Sequence, residues 1–514
     1  MPARTSSSRL VARTCQRIRE RCQFSLGLAK FSLLCQPSRR PTFWLWRHPP
    51  SSACVHSVPK GRVEKFPVEG LSPQDADNKR ADTVIEQANL LSSKSKPVLA
   101  LMVWLTVAAR ADDWPQFRGP RRDGHWNETG ILESFPKEGL RICWRHPVGG
   151  GFSSPVVAQG RVFVFDVELT KPASRERVHC FEEKTGNVLW VFGYQEHYGE
   201  WAFVPERGAG PTATPIVEQG RIYTVGANGY VHCLDVKTGT VIWEKNLWQE
   251  YEVEEMGCRP SPLIEGSLLI VSTGARPGAT VLALDKQTGK EVWKALDEHA
   301  SNSSPIAITS GGRRQLIVWT DKSLASLDPA NGHIYWREPM VTSNNDDVAT
   351  PVFWGNRLLV SGLMLELSGD PPAASFRWPA NRAPSKRILS NTSTPVPQGE
   401  YIYTCRSPGE LVCLEAATGR QVWSTNTVTA LKNGASIHMT PQGGGYFLFT
   451  DEGNLIRAEL SPAGYREISR SHLIDPTWPF DGRKYVYAPP AFANRHVFAR
   501  SEAEVVCASL ENRE

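Results

Sequence analysis

The sequence predicts an all-β protein, an eight-bladed β-propeller of four-stranded antiparallel blades. Three observations predict it: a turn motif that recurs along the chain, a strand-opening step that recurs eight times, and two chain ends that complete one blade. A period of roughly 40–50 residues with four strands per unit is typical of propellers. About 400 residues follow the N-terminal region, which is enough for a large β core.

The turn motif reads apolar-x-Asp/Glu-x-x-Thr-Gly-x-x-x-Trp, with Asn in place of Thr in one copy. Its glycines are separated by 53, 50, 43 and 87 residues, and the last gap corresponds to two periods. The acid can bind turn N–H groups, glycine allows the positive φ of a tight hairpin, and the tryptophan can be buried between blades. We therefore interpret these residues as structural. The five copies contain Gly186 and Trp190, Gly239 and Trp243, Gly289 and Trp293, Gly332 and Trp336, and Gly419 and Trp423.

The second landmark is a short step that opens each unit just before a hairpin. It consists of a small residue, usually one with a hydroxyl group, followed by proline and an apolar residue. We count eight openings and hence eight blades. They begin at Ser153, Thr214, Ser261, Ser304, Thr350, Thr394, Thr440 and Ala488.

The chain ends complete each other. The last opening is followed by a third strand, VVCASL, and by no fourth, whereas LRICWRHPV around Trp144 precedes the first opening. We predict that N- and C-terminal strands share the last blade and close the ring. Closure removes the sheet edges that would otherwise pair with other chains.

Two copies depart from the pattern. The fifth unit runs from Leu363 to Pro384 without the Thr-Gly turn, and the seventh keeps Gly464 with Tyr465 near the tryptophan position. A repeat copy that diverges from the motif is either a structural region that accepts sequence change or a place where a ligand site has been added. We favour scaffold.

By its Asp-x-x-Thr-Gly-x-x-x-Trp repeats the chain resembles the PQQ-like, quinoprotein-type eight-bladed propellers, over roughly Asp113 to Ser509. WPQFRGPRRDG, at 114–124, further resembles the start of secreted bacterial propellers that are abundant in planctomycetes. The resemblance implies two kinds of function. Some members are alcohol or sugar dehydrogenases that hold pyrroloquinoline quinone (PQQ) and Ca²⁺, and others, such as an outer-membrane assembly factor, bind no cofactor and act as interaction platforms.

The residues favour the second kind. The chain lacks the adjacent cysteine pair that covers the quinone in many of the dehydrogenases, and it has no CxxCH haem motif. No serine-hydrolase, zinc-protease or nucleotide-binding motif is present. We predict a non-catalytic binding or scaffolding module with no cofactor, no catalytic residues and no metal ligands. A PQQ- and calcium-dependent dehydrogenase is the alternative, and a polysaccharide-binding propeller, with Tyr198, Trp201, Trp248 and Tyr251 on its loops, is another.

A ligand site, if the propeller has one, is expected in the central funnel, where the loops before the opening strands converge. These loops supply five candidate ligand-binding residues. Arg207 could pair with an anionic ligand or with Asp346 and Asp347 across the channel, and the NNDD segment, 344–347, is the nearest match to the oxygen-rich set that Ca²⁺ takes. The candidates are Trp201, Arg207, Asn345, Asp346 and Asp347.

The eleven cysteines do not predict a disulfide framework. Four occupy the same third-strand position in different blades, where each would face a separate layer, and we interpret them as small buried apolar residues. They are Cys180, Cys233, Cys413 and Cys507. One disulfide among Cys143, Cys258 and Cys405 stays open.

The front of the chain has a different composition. Residues 1–91 are rich in Arg, Ser and Pro and carry no repeat, and we interpret them as a leader outside any domain, with translation expected to start near residue 90. Residues 92–111 have the anatomy of a signal peptide: two lysines, an apolar run of 13 residues and Ala-Arg-Ala. That run is too short to span a membrane comfortably. An Arg-rich organelle presequence is the rival interpretation.

The charge distribution supports this division, because 18 of the 58 Lys and Arg but 7 of the 53 Asp and Glu precede residue 112. Residues 112–514 therefore carry a formal net charge of −6, which disfavours a nucleic-acid partner. We predict an exported, periplasmic or extracellular monomer, with no membrane span and a protein or carbohydrate ligand.

The first test concerns the mature N-terminus. If residues 92–111 are a signal peptide, the native protein begins at Asp112. N-terminal sequencing of protein from its native source is expected to give Asp-Asp-Trp-Pro. Peptides from residues 1–90 in that material would contradict the interpretation.

Overall fold

The computed structural model describes residues 112–341, 348–381 and 392–512. They form eight four-stranded antiparallel sheets, which confirms the predicted all-β eight-bladed propeller. The leader, 1–91, and the predicted signal segment, 92–111, lie outside the described residues. Among those that are described, no helix is long and apolar enough to cross a membrane.

The first strand of the chain, β1 (Ile142–Pro147), belongs to the last blade. The first four blades follow it in chain order. Blade 1 is β2 (Val156–Ala158), β3 (Arg161–Glu168), β4 (Ser174–Glu182) and β5 (Val188–Glu196); blade 2 is β6 (Ile216–Glu218), β7 (Arg221–Val225), β8 (Tyr230–Asp235) and β9 (Val241–Asn246); blade 3 is β10 (Leu263–Glu265), β11 (Leu268–Ala275), β12 (Ala279–Asp285) and β13 (Glu291–Ala295); blade 4 is β14 (Ile306–Ser310), β15 (Arg313–Trp319), β16 (Ser323–Leu327) and β17 (Ile334–Pro339).

The remaining blades follow the same order, and a two-stranded hairpin lies between the last two. Blade 5 is β18 (Val352–Trp354), β19 (Arg357–Val360), β20 (Leu363–Ser368) and β21 (Ala373–Trp378); blade 6 is β22 (Val396–Gln398), β23 (Tyr401–Arg406), β24 (Glu410–Glu415) and β25 (Gln421–Thr425); blade 7 is β26 (Ile437–Gln442), β27 (Gly445–Thr450), β28 (Asn454–Ser461) and β29 (Gly464–His472); the hairpin is β30 (Trp478–Phe480) and β31 (Arg483–Tyr485); blade 8 is β32 (Ala491–Ala493), β33 (His496–Arg500), β34 (Glu504–Ser509) and β1.

Blade 8 closes the ring as predicted. Its outer strand β1 pairs antiparallel with β34, with Trp144 opposite Cys507 and a bulge between Ile142 and Trp144. The seventh opening differs from the prediction, since Thr440 lies inside β26. The pairing of β26 with β27 begins at Ile437 and covers six residue pairs, whereas the first two strands of most blades pair over three.

Adjacent blades are joined by a repeated contact that we call the tryptophan clasp. A tryptophan on the outer strand of one blade donates its Nε1–H to a carbonyl in the last turn of the next blade, three residues before the motif glycine. In five cases a Cβ added at that glycine would lie 2.5–2.8 Å from the indole, so the ring lies directly against the backbone. The donor and acceptor pairs are Trp144 and Glu183, Trp190 and Val236, Trp243 and Lys286, Trp293 and Pro329, Trp378 and Ala416, and Trp423 and Ser461.

Two tryptophans outside the five motif copies also form the clasp, and one tryptophan within a motif copy does not. Trp144 and Trp378 occupy the tryptophan position although neither belongs to a complete motif. Trp336 donates instead to Gln315 of its own blade, because the turn that it would meet in blade 5 lacks the Thr-Gly pair.

The opening steps form a second set of links around the channel. The side-chain oxygen of one opening accepts a hydrogen bond from the backbone N–H of the preceding blade's opening. The small hydroxyl therefore has a structural role. It accepts a hydrogen bond from a buried backbone N–H of the preceding opening, and that N–H has no partner in a neighbouring strand. The links run from Ser154 to Thr214, Thr214 to Ser261, Ser261 to Ser304, and Thr350 to Thr394, at 2.9–3.3 Å.

A buried carboxyl lies between blades 1 and 2. Glu176 on β4 is fully buried and accepts hydrogen bonds from the hydroxyls of Tyr194 and Tyr198 and from Ala227 N–H. Burial raises the pKa of Glu176 to about 7, against the hydrogen bonds from the tyrosines, which lower it. Tyr198 begins the loop between the two blades, so the network holds that loop in place.

Removing one clasp tests the role of the tryptophan. Trp243 is 9% exposed, and Trp243→Ala is expected to lower the free energy of unfolding by roughly 3–5 kcal/mol, because it leaves a cavity and removes a hydrogen bond. The control is Trp248→Ala, since Trp248 is 49% exposed. Chemical denaturation measures both. A stability for Trp243→Ala equal to that of the control would contradict the clasp.

The buried carboxyl predicts a pH dependence. Between the unfolded pKa of 4.5 and the folded value of about 7, Glu176 ionises in the unfolded chain but keeps its proton in the fold. The free energy of unfolding is therefore highest below that window and falls by an amount on the order of 3 kcal/mol as pH rises through it.

Glu176→Gln mimics the protonated acid. The substitution is expected to make the free energy of unfolding depend less on pH and to raise it at pH 8. Denaturation from pH 4.5 to 8 measures it, with the exposed Glu138→Gln as the matched control. An unchanged slope in Glu176→Gln would show that the carboxyl is ionised in the fold.

Candidate functional site

The candidate site is a cavity of about 590 Å³ on the propeller axis. Its wall is built by the opening steps, and its ends by the N-terminal segment and by the loops between blades. The wall residues are polar but neutral, because each opening contributes a small hydroxyl. They include Ser154, Thr214, Ser261, Ser304, Thr394 and Thr440.

One end of the cavity is formed by the N-terminal segment 113–131, which runs past the innermost strands of several blades. Trp114 pairs with Val157 of blade 1, and Trp126 bridges to Gln442 of blade 7. In blade 2, Val217 donates its N–H to the carbonyl of Pro115. The indoles of Trp114 and Trp126 also pack on Phe492 of blade 8. The segment thus links blades on different sides of the ring and lines the cavity with Trp114, Phe117, Arg118 and Gly124.

Two arginines of this segment matter for the site, Arg122, which is buried, and Arg118, which is partly exposed. Arg122 is 8% exposed and donates to the carbonyls of Pro262 and Pro305, at 2.7 and 3.2 Å, at the openings of blades 3 and 4. Arg118 lines the cavity and donates to the carbonyl of Asp123. Loss of hydration lowers the pKa of Arg118 to about 10, and the same loss together with the charge of Arg118 lowers the pKa of Arg122 to about 9. The cavity end therefore carries positive charge that the surrounding protein solvates poorly.

Another part of the lining comes from the loop between blades 1 and 2. This loop contains two 3₁₀ turns, Glu200–Phe203 and Pro205–Arg207. Trp201 and Arg207 line the cavity from it. The Arg207 side chain is exposed and makes no hydrogen bond or ion pair with any described residue.

An aromatic cluster faces this loop. Trp478 and Phe480 of the β30–β31 hairpin stack with ring centroids 5.3 Å apart, and Trp478 meets Phe152 edge to face at 5.4 Å. Gly208, with φ of +61°, allows the loop to approach closely, since a Cβ there would lie 2.7 Å from both Phe152 and Trp478. Apolar ring surface and arginine charge thus line the same cavity.

The sequence-predicted residues fall into two groups. Trp201 and Arg207 are brought together at the cavity, and their role in binding stays a prediction. Asn345, Asp346 and Asp347 lie outside the described residues, as does the proposed pairing of Arg207 with the two aspartates. The neighbouring Val348 lines the cavity.

Of the four aromatic residues considered for sugar binding, Trp201 alone lines the cavity among the described residues. Tyr198 is buried against Glu176, which contradicts its expected exposure. Tyr251 donates to Glu291 on the outer face of the blades, and Trp248 is exposed. These four do not form one platform.

Sequence reasoning missed several lining residues. Arg118 and Phe117 belong to WPQFRGPRRDG, a segment that the sequence marked by resemblance but not as a site. Trp478 and Phe480 belong to an insertion between units, and the length of that insertion, from the end of β29 to the start of β32, was the signal available. His438, whose Nε2–H donates to the carbonyl of Tyr487 at 3.0 Å, also lines the cavity, and burial lowers its pKa to about 4.

The described lining does not fit calcium. Ca²⁺ takes six to eight oxygen ligands with several carboxylates, and no Asp or Glu lines the cavity within the ranges that the structure describes. Arg118, Arg207 and Arg259 would also repel a divalent cation. These three arginines suit an organic anion instead, since guanidinium groups bind carboxylate, sulfate or phosphate.

Comparison with known proteins agrees with this architecture. The family model described as outer membrane protein assembly factor BamB matches residues 174–425. The BamB of Burkholderia pseudomallei is 25% identical over 284 residues, 53% of this chain and 68% of that protein. The quinohemoprotein alcohol dehydrogenase of Comamonas testosteroni is 23% identical over 238 residues, 45% of this chain.

The chain spans about a third (32%) of the length of the Comamonas enzyme. Among solved structures, BamB from Moraxella catarrhalis has a TM-score of 0.49 at 14% identity and covers 73% of this chain and 99% of that one. By its turn motif, its eight blades and the family model that matches residues 174–425, the chain is similar to the PQQ-like β-propeller repeat proteins.

Proposed function

We propose that the protein is a non-catalytic binding propeller whose central cavity takes an organic anion with an apolar face. The observation that carries the proposal is the composition of the cavity. Three arginines and a group of aromatic rings line about 590 Å³, and no carboxylate does so among the described residues. That volume falls in the range of small-molecule sites, roughly 300–1,000 Å³.

The charges favour an anion over a neutral ligand. Arg118 loses hydration in the fold, as its lowered pKa indicates, and an anion would restore favourable interactions to it. Arg207 is exposed and has no described partner, so binding breaks no ion pair within the described part of the chain. Guanidinium groups bind oxyanions through directed pairs of N–H donors.

The aromatic rings favour a ligand with an apolar or ring-shaped body. Trp201 lies on the loop between blades 1 and 2, and Trp478 and Phe480 lie on the hairpin before blade 8. Rings of this kind bury large surface at low entropic cost and stack on flat ligands. An acidic sugar and an aromatic acid share this chemistry, and export through the predicted signal segment would expose the site to extracytoplasmic solutes.

The PQQ- and calcium-dependent dehydrogenase receives no support from the described lining. A carboxylate, whether as general base or as calcium ligand, would have to come from residues that the structure does not describe, such as Asp346 and Asp347. No described cavity residue is a carboxylate, so we derive no catalytic step. Oxidation of alcohols by purified protein supplied with PQQ, Ca²⁺ and a dye acceptor would overturn the non-catalytic assignment.

Binding is tested with a matched pair of fluorescent probes. The anionic probe is 8-anilinonaphthalene-1-sulfonate, and N-phenyl-1-naphthylamine is its uncharged analogue. We expect the purified chain to bind the sulfonate more tightly, because Arg118 and Arg207 contribute to the sulfonate alone. The preference is expected to shrink as salt rises, since salt screens charges.

Arg118→Gln and Arg207→Gln are each expected to weaken sulfonate binding about tenfold, the equivalent of roughly 1.4 kcal/mol for one charge-assisted hydrogen bond. Binding of the uncharged probe should stay within about twofold. Arg466→Gln is the control, because Arg466 lies on the outer strand β29, where its exposed side chain pairs with Glu459. Equal effects of all three substitutions on the sulfonate would refute the cavity as the anion site.

A further inference from the structure

Three metal-binding side chains meet where the ring closes. The sulfur atoms of Cys143 on β1 and Cys507 on β34, and a ring nitrogen of His496 on β33, all lie within 4.8 Å of one another. Cys507 is buried, whereas Cys143 and His496 are partly exposed. The cluster lies on the sheet that the two chain ends share, away from the residues that line the central cavity.

The histidine is oriented for a ligand. Its Nδ1 lies 2.7 Å from the carbonyl oxygen of Asn494, and a carbonyl can only accept, so Nδ1 carries the proton. The lone pair of Nε2 is then the one that can bind a metal ion. A ring N–H that donates to a backbone carbonyl is the usual outer-shell support of a metal-bound histidine, because it fixes the tautomer and the ring direction.

The other blades serve as internal controls for this arrangement. Cys180, Cys233 and Cys413 occupy the third-strand position of Cys507, each opposite the clasp tryptophan of its blade. In these blades the bulge position of Cys143 holds Leu189, Ile242 and Val422, and the position of His496 holds Arg161, Arg221 and Tyr401. Among the described residues, therefore, the three donors converge in blade 8 alone, on a backbone that the repeat otherwise fills with apolar, arginine or tyrosine side chains.

The bulge supplies the geometry. The pairing of β1 with β34 shifts between Ile142 and Trp144, so Cys143 is the extra residue, and bulges re-aim side chains in this way. Tetrahedral zinc holds sulfur ligands at about 2.3 Å, which places two sulfurs roughly 3.8 Å apart. Small side-chain rotations bring atoms now within 4.8 Å to that spacing.

We propose that Cys143, His496 and Cys507 bind Zn²⁺ with water in the fourth position. Two thiolates and an imidazole are the soft-to-borderline donors that zinc takes, and the partial exposure of Cys143 and His496 gives the ion a path from solvent. Because β1 and β34 come from opposite ends of the chain, the ion joins the two strands whose pairing closes the ring. Zinc binding is therefore coupled to closure, and it stabilises the propeller against opening at this blade.

The experiment uses the full-length chain, purified under reducing conditions, loaded with Zn²⁺ and dialysed. Mass-spectrometric metal analysis is expected to find about one zinc per chain. Substitution by Co²⁺ should give thiolate-to-cobalt charge-transfer bands, and thermal melting should occur at higher temperature with zinc than after chelation. Cys143→Ser and His496→Gln are each expected to lose the retained zinc, the cobalt bands and the zinc-dependent shift in melting.

The matched control is Cys413→Ser, which removes the equivalent third-strand cysteine of blade 6 and should keep all three signals. Melting of the chelated variants checks that Cys143→Ser and His496→Gln still fold. Failure of the reduced parent to retain zinc, or equal loss in Cys413→Ser, would overturn the proposal. A Cys143–Cys507 disulfide that persists under the reducing conditions would likewise overturn it and assign the pair a covalent role.

Discussion

The contact between a tryptophan of one blade and the turn of the next is the interaction on which the rest of this structure depends. A four-stranded sheet exposes two faces, and each blade buries them by stacking on its neighbours. The indole covers that interface, and its N–H satisfies a turn carbonyl, as Trp243 does with Lys286. The motif glycine is required for this approach, since at Gly289 a Cβ would lie 2.5 Å from the ring at a φ of +72°.

Two borders of the cavity coincide with places where this contact is interrupted. Between blades 7 and 8 the interface is filled instead by Trp126 from the N-terminal segment, which packs on Phe447 and Phe492, and the β30–β31 hairpin is inserted there. Between blades 4 and 5 Trp336 turns back to its own blade, and the undescribed segment 342–347 follows. Part of the cavity lining therefore comes from elements that the repeat does not prescribe, whereas the opening steps that build its wall recur along the chain.

This explains how far the sequence could predict the molecule. The period, the number of blades and the closure by the chain ends depend on local patterns that recur, and these predictions are confirmed. The position of Arg118 depends on a segment that contacts distant blades, and that of Trp478 on an insertion without periodicity, so neither was predictable from the repeat. Cys143 and Cys507 were assigned to different groups because their meeting requires a bulge in β1, which the sequence does not show.

The electrostatics of the cavity cannot be inferred from net charge. Residues 112–514 are acidic overall, yet the described lining carries three arginines and no carboxylate. Arg118 and Arg122 lie close enough for one to lower the pKa of the other, and burial lowers both. A fold that places two guanidinium groups in poorly hydrated positions loses free energy, because protein dipoles replace water incompletely.

Carbonyls of blades 3 and 4 offset part of this cost for Arg122. Arg118 has one backbone acceptor and otherwise faces the cavity, where anionic oxygens would supply the missing interactions. The proposed anionic ligand would therefore offset, at Arg118, a cost that the fold alone leaves in place.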